Sequence, residues 1–120
     1  MTTNFTDMVA TLAKPGQAIV DNLTAETAHL LHMAVGVSGE AGELIDAVKK
    51  AAIYNKPLDR ANVVEELGDI EFYLEGLRQG LGITREETID GNIAKLSKRY
   101  EGLKYSDSSA QARADKVGAA

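Results

Sequence analysis

Glu40-Ala41-Gly42-Glu43-Leu44 and, one helix later, Glu66-Leu67-Gly68-Asp69-Ile70 follow one pattern: acid, small or apolar residue, glycine, acid, apolar residue. Positions i and i+3 of a helix share a face about one turn apart, so each copy offers two carboxylates pointing the same way. Two such helices packed antiparallel bring four carboxylates together, and four like charges in one place require a cation. Oxygen donors alone suit a hard ion, magnesium or manganese.

Outward from these motifs, helical rather than alternating periodicity dominates the chain. A first helix is predicted from about Asn4 to Ala13, stopped by Lys14-Pro15-Gly16. A second runs from near Thr24 to about Tyr54 and ends at Asn55-Lys56-Pro57. A third takes Asp59 as N-cap and reaches about Gly80, with Gly82 as its C-terminal stop. Thr84-Arg85-Glu86-Glu87 is a capping box opening a fourth, whose apolar positions are Ile89, Ile93, Leu96, Tyr100 and Leu103. Beyond Tyr105 little remains to bury. Residues 1–105 thus read as one domain and 106–120 as a flexible tail. The fold class is all-α, a four- to five-helix bundle with a metal site between antiparallel second and third helices.

Turning each helix by about 100° per residue places the acids. The apolar stripe of the second helix is Leu30, Val37, Ala41, Leu44 and Val48; that of the third is Val63, Leu67, Ile70, Leu74 and Leu77. In both, the two acids fall roughly 60° and 120° to one side of the stripe's centre. All four border the core, and Asn92 and Arg99 hold the corresponding border of the fourth helix. A lone acid pair is ordinarily a solvated helix face, but here it occurs twice at the same angular placement. Gly36, Gly39, Gly42 and Gly68 lie inside the same helices, each costing about 1 kcal/mol relative to alanine. Close helix approach or room for a ligand is the usual compensation. Glu65 and Glu71 add acid nearby that repels unless cations bind.

Composition narrows the alternatives. A net charge of -5 over 120 residues argues against a nucleic-acid or membrane-surface binder. The absence of cysteine removes disulfides, zinc-thiolate sites and a cysteine nucleophile. No apolar run approaches the ~18 residues of a membrane span, and the polar start lacks a signal pattern, which predicts a soluble cytoplasmic protein. A di-iron bundle needs Glu-x-x-His pairs, whereas the second positions here are Glu43 and Asp69. An acidic mimic of nucleic acid would spread its charge over an outer surface. A non-catalytic metal-binding or protein-interaction module stays open as the rival class.

With this pair of motifs the chain resembles the MazG-like, all-α nucleoside triphosphate pyrophosphohydrolases, whose signature is Glu-x-x-Glu followed by Glu-x-x-Asp. Glu40, Glu43, Glu66 and Asp69 supply it, and Asn92-Ile93-Ala94-Lys95-Leu96-Ser97-Lys98-Arg99-Tyr100 looks like the family's last segment. The likeness covers about Leu30 to Tyr100. It implies hydrolysis of a nucleoside triphosphate to the monophosphate and pyrophosphate, with magnesium or manganese held by the four acids in a homodimer or homotetramer. It also implies that Lys95 and Arg99 face the metals, Arg99 gripping phosphate through its fork. Small family members often act on deoxynucleotides, so dGTP is the first expectation and dCTP the second. Glu43, further from the core than Glu40, is the choice for general base. Lys50 and Asn92 are phosphate or sugar candidates, and Tyr73, following Asp69 by four, can stack or donate. His29 and His32 lie along the acid edge, about 16 Å and 12 Å before Glu40, placed for base or sugar. Each of these has an ordinary surface or packing explanation as well.

Overall fold

A computed structural model describes residues 2–116. Its elements are α1 (Phe5–Leu12), α2 (Gly16–Asn22), α3 (Ala25–Ala52), α4 (Arg60–Leu81), α5 (Arg85–Arg99) and α6 (Asp107–Ala112), with 3-10 turns at Glu101–Leu103 and Ala114–Lys116. No strand occurs among the described residues. The all-α expectation holds. The caps explain most boundaries. Asn4 caps α1, accepting from the Asp7 amide, and Asp59 caps α4, accepting from the Asn62 amide. Thr84 and Glu87 form the expected capping box on α5. Gly82 ends α4 at φ 66°, the left-handed conformation that glycine adopts freely. Asn55, also left-handed at φ 56°, turns the chain after α3.

Two segments differ from expectation. Pro15 does not merely stop α1; it stands as N-cap of the extra helix α2, since proline's fixed φ and missing donor suit a helix start. The segment after Tyr105, expected to be a flexible tail, is helical over Asp107–Ala112. Residues 117–120 of that expected tail lie outside the described residues.

An ion pair ties the C-terminal segment to α5. Arg99 Nε and Nη2 donate to the two oxygens of Asp115 at 2.8 and 3.3 Å, and only 5% of the Asp115 side chain is exposed. Arg99 holds Asp115 below the usual carboxylate range, and Asp115 in turn raises Arg99. A depressed acid contributes stability above its unfolded value and loses it only as pH falls through the folded one, so the clasp stays closed at neutral pH. Arg99→Ala or Asp115→Ala is expected to release α6. Hydrogen exchange should then show α6 amides exchanging as an unstructured segment does, while α3 and α4 keep their protection.

α3 and α4 form the principal interhelix packing, antiparallel and close. Glycine makes the closeness possible. A Cβ at Gly36 would sit inside the Tyr73 ring, one at Gly76 against the Met33 sulfur, and one at Gly80 against the His29 ring. The Gly76-x-x-x-Gly80 spacing opens one groove along α4, into which Met33 and His29 of α3 fit. His29 Nε2–H donates to the Gly76 carbonyl at 2.9 Å. Met33 and Ala47 are the buried apolar residues among those described, and Glu66 is buried as well. The contact line therefore runs Met33, Gly36, Glu40, Ala47. That line lies beside the predicted stripe, most of whose residues (Leu30, Val37, Ala41 and Leu44) are only half-buried. The small residues decide the offset, because helices approach most closely where side chains are shortest.

Candidate active site

Glu40 and Glu66 face each other across the α3–α4 contact, and Asp69 follows Glu66 by one turn. One carboxylate oxygen from each lies within 4.8 Å of the other two. Octahedral magnesium, with bonds of about 2.1 Å, spans oxygens at most about 4.2 Å apart, so a small side-chain rotation closes the set. Glu43 is the fourth acid of the pattern, but it is exposed and outside this triad.

Glu66 is the unusual member. It is 8% exposed, and its Oε2 is buried with no hydrogen-bond partner among the described residues. The Glu40 carboxylate, near enough to share a proton, is the main cause pushing Glu66 up to about 7; burial and the charges of Glu40, Glu43 and Asp69 add to it. A buried carboxylate without a donor is destabilising unless a proton or cation neutralises it. The residues present fit a hard divalent ion: all-oxygen donors, three of them convergent, one orphaned.

The other predicted residues separate into those brought near and those not. Tyr73 packs its ring against Gly36 and edge-on to His32, with centroids 6.3 Å apart. His29 is committed to the Gly76 carbonyl. Lys50 pairs with Asp46 at 3.1 Å, both half-exposed. Asn92 and Lys95 are exposed on α5, which packs against the C-terminal segment rather than against the α3–α4 pair. Arg99 is taken up by Asp115. Within one chain, then, α5 does not close over the acids.

Sequence reading missed two features. Arg78, 8% exposed, is held by Glu75 at 3.1 Å, with Glu71 at 3.9 Å; the Glu75-x-x-Arg78 spacing was a usable signal. Asp115 had no local signal, since its partner lies 16 residues away.

The model of one family, the MazG nucleotide pyrophosphohydrolase domain, matches residues 21–103. The chain belongs to the MazG family. The matched span takes in α3, α4 and α5, hence the acid triad and Glu43. No match was found among curated proteins or among solved structures. The MazG domain is a nucleotide pyrophosphohydrolase domain, and the metal dependence of its family agrees with three convergent carboxylates that could hold a cation. No helix among the described residues is long and apolar enough to cross a membrane.

Proposed function

We propose that this MazG chain hydrolyses a nucleoside or deoxynucleoside triphosphate to the monophosphate and pyrophosphate, with magnesium or manganese held by Glu40, Glu66 and Asp69. The buried Glu66 oxygen without a hydrogen-bond partner among the described residues carries this reading, because above about pH 7 the side chain loses its proton as well and its charge is left uncompensated there. Held there, a divalent cation would supply charge neutralisation along the triphosphate and a more acidic water. Glu43, one turn from Glu40, open to solvent and outside the triad, would accept the proton from the attacking water. Lys95 and Asn92 meet the phosphates and sugar. Arg99 acts at one remove, positioning the C-terminal segment. Tyr73 and His32 line the approach, and Lys50, tied to Asp46, contributes least. dGTP, then dCTP, is the expected substrate, and the cytoplasm the expected place of action.

The assembly is proposed to be a homodimer or homotetramer. The radius of gyration is 20.3 Å, against about 14 Å for a compact chain of this length. Leu31, Val35 and Ile45 are 55%, 60% and 67% exposed on the side of α3 turned from α4. A helix apolar on both sides needs neighbours on both. A second copy would cover that face and bring its α5 to the acids. Light scattering should give at least twice the chain mass, and Ile45→Glu should reduce it; a wild-type monomer would contradict the assembly.

Metal and proton compete at Glu66. Folded, it keeps its proton up to about 7, whereas a free glutamate loses it near 4.5. Between these values the folded state binds more protons, so metal-free stability falls as pH rises. The melting temperature without metal should be lower at about pH 8 than at about pH 6, and magnesium should raise it more at the higher pH. Equal shifts at both would remove Glu66 from the ligand set.

The decisive experiment is a panel of the eight common NTPs and dNTPs with magnesium or manganese, scoring pyrophosphate separately from orthophosphate. Metal-dependent pyrophosphate supports the reading. A folded, inactive chain whose melting ignores metal and nucleotide would instead be a non-catalytic interaction module.

A further inference from the structure

Beside the acids lies a groove of about 440 Å³ lined by His29, Met33, Phe72, Glu75, Gly76 and Gln79, within the size range of small-molecule sites. It occupies the same flank of the helix pair as Asp69. Counting round α4 from Glu66, Asp69 stands at roughly 60°, Gly76 at 80°, Phe72 at 120° and Gln79 at 140°, all in one sense. Along the axes, Met33 is about 10 Å from Glu40, and Gly76 and Gln79 are about 10 and 15 Å from Asp69. That distance matches the reach from the phosphates of a nucleoside triphosphate to its base.

The lining has the chemistry of a base site. Phe72 is 68% exposed, with the Tyr73 ring perpendicular to it at 5.2 Å between centroids, and Met33 lines the groove with polarisable apolar atoms. At the rim stands Glu75, whose oxygens accept from Arg78 Nε at 3.1 Å and Gln79 Nε2 at 3.2 Å. These donors lower its pKa and keep it ionised. An ionised carboxylate only accepts, with about four lone-pair sites, so two oxygens fixed by one donor each retain capacity for two more. Guanine alone among the common bases presents two adjacent N–H donors on its pairing edge. Adenine sets one donor beside an acceptor and cytosine one donor beside two, and thymine flanks one donor with two carbonyls that a carboxylate repels.

We propose that this groove is the base subsite for a guanine nucleotide, with Phe72 and Met33 holding the ring and the Glu75 carboxylate accepting from N1–H and the exocyclic amine. The proposal rests on the pyrophosphohydrolase reading. His29, anchored to the Gly76 carbonyl, forms the floor.

The test compares dGTP with dATP on the full chain with magnesium, by pyrophosphate release and by calorimetric affinity, in wild type, Glu75→Gln and Phe72→Ala. Inorganic tripolyphosphate serves as a substrate without a base. Wild type should favour dGTP, and Glu75→Gln should lose at least about tenfold of that preference, as expected when a paired polar contact is removed from a site. Phe72→Ala should weaken both nucleotides about tenfold or more, as loss of base stacking does. Neither variant should alter tripolyphosphate hydrolysis. Active wild type with no guanine preference, or variants that discriminate as wild type does, would overturn the base site and leave the reaction standing. A wild type that neither binds nor hydrolyses any nucleotide would overturn both.

Discussion

Glu66→Gln is expected to lower metal-dependent pyrophosphate release at least about a thousandfold while raising the melting temperature of the metal-free protein above about pH 7, where Glu66 is ionised. The first effect follows from losing the central ligand of the triad: charge stabilisation by a bound cation is worth several decades of rate. The second follows from Glu66 being crowded by Glu40, Glu43 and Asp69; a neutral amide of the same shape relieves that repulsion. Metal should no longer raise the melting temperature of this variant. Glu43→Gln makes the contrast, because Glu43 is exposed and outside the triad. Its rate should fall about 10²- to 10⁴-fold, the usual range for a positioned base, while much of the stabilisation by metal persists. If both variants lose metal binding equally, Glu43 is a ligand and not a base. If Glu66→Gln turns over at the parent rate, the cation sits elsewhere.

Gly36→Ala is expected to destabilise the protein by about 1–3 kcal/mol, the usual penalty for overpacking, because the added methyl meets the Tyr73 ring. That loss outweighs the roughly 1 kcal/mol gained in helix propensity. Gly42 and Gly68 behave oppositely, since a Cβ at either meets nothing within 4 Å in the single chain. In an isolated chain Gly42→Ala or Gly68→Ala should stabilise by about 1 kcal/mol. Each glycine sits between the two acids of its motif. Substitutions that stabilise yet abolish turnover would therefore mean that substrate or a second copy approaches the backbone there. Urea denaturation and pyrophosphate release on the same samples read both quantities. A Gly36→Ala protein as stable as wild type would mean that Tyr73 is free to move aside.

Local chemistry accounts for much of what was legible beforehand. Asp59, Thr84 and Gly82 determine their helix ends through bonds spanning three or four residues, so neighbouring sequence suffices to place them. The acid pairs were legible for the same reason: i and i+3 share a face wherever a helix forms. Which acid would be buried was not, because an ideal helix wheel puts Glu40 and Glu66 at equal angles from their stripes. Gly36, Gly76 and Gly80 shift the α3–α4 contact toward the acids, and that shift buries Glu66 and leaves Glu43 in solvent. Arg99 was likewise assigned by its helix face alone, and its partner Asp115 arrives from 16 residues away.

Helix content, helix ends and the pairing of acids were thus determined by the sequence itself, since all depend on neighbours within about one turn. The tertiary structure alone decided that one Glu66 oxygen is buried without a partner among the described residues, that Asp115 engages Arg99 and that a groove opens beside Phe72 and Glu75. Each depends on how closely two distant segments approach, and that distance is set by the shortest side chains between them.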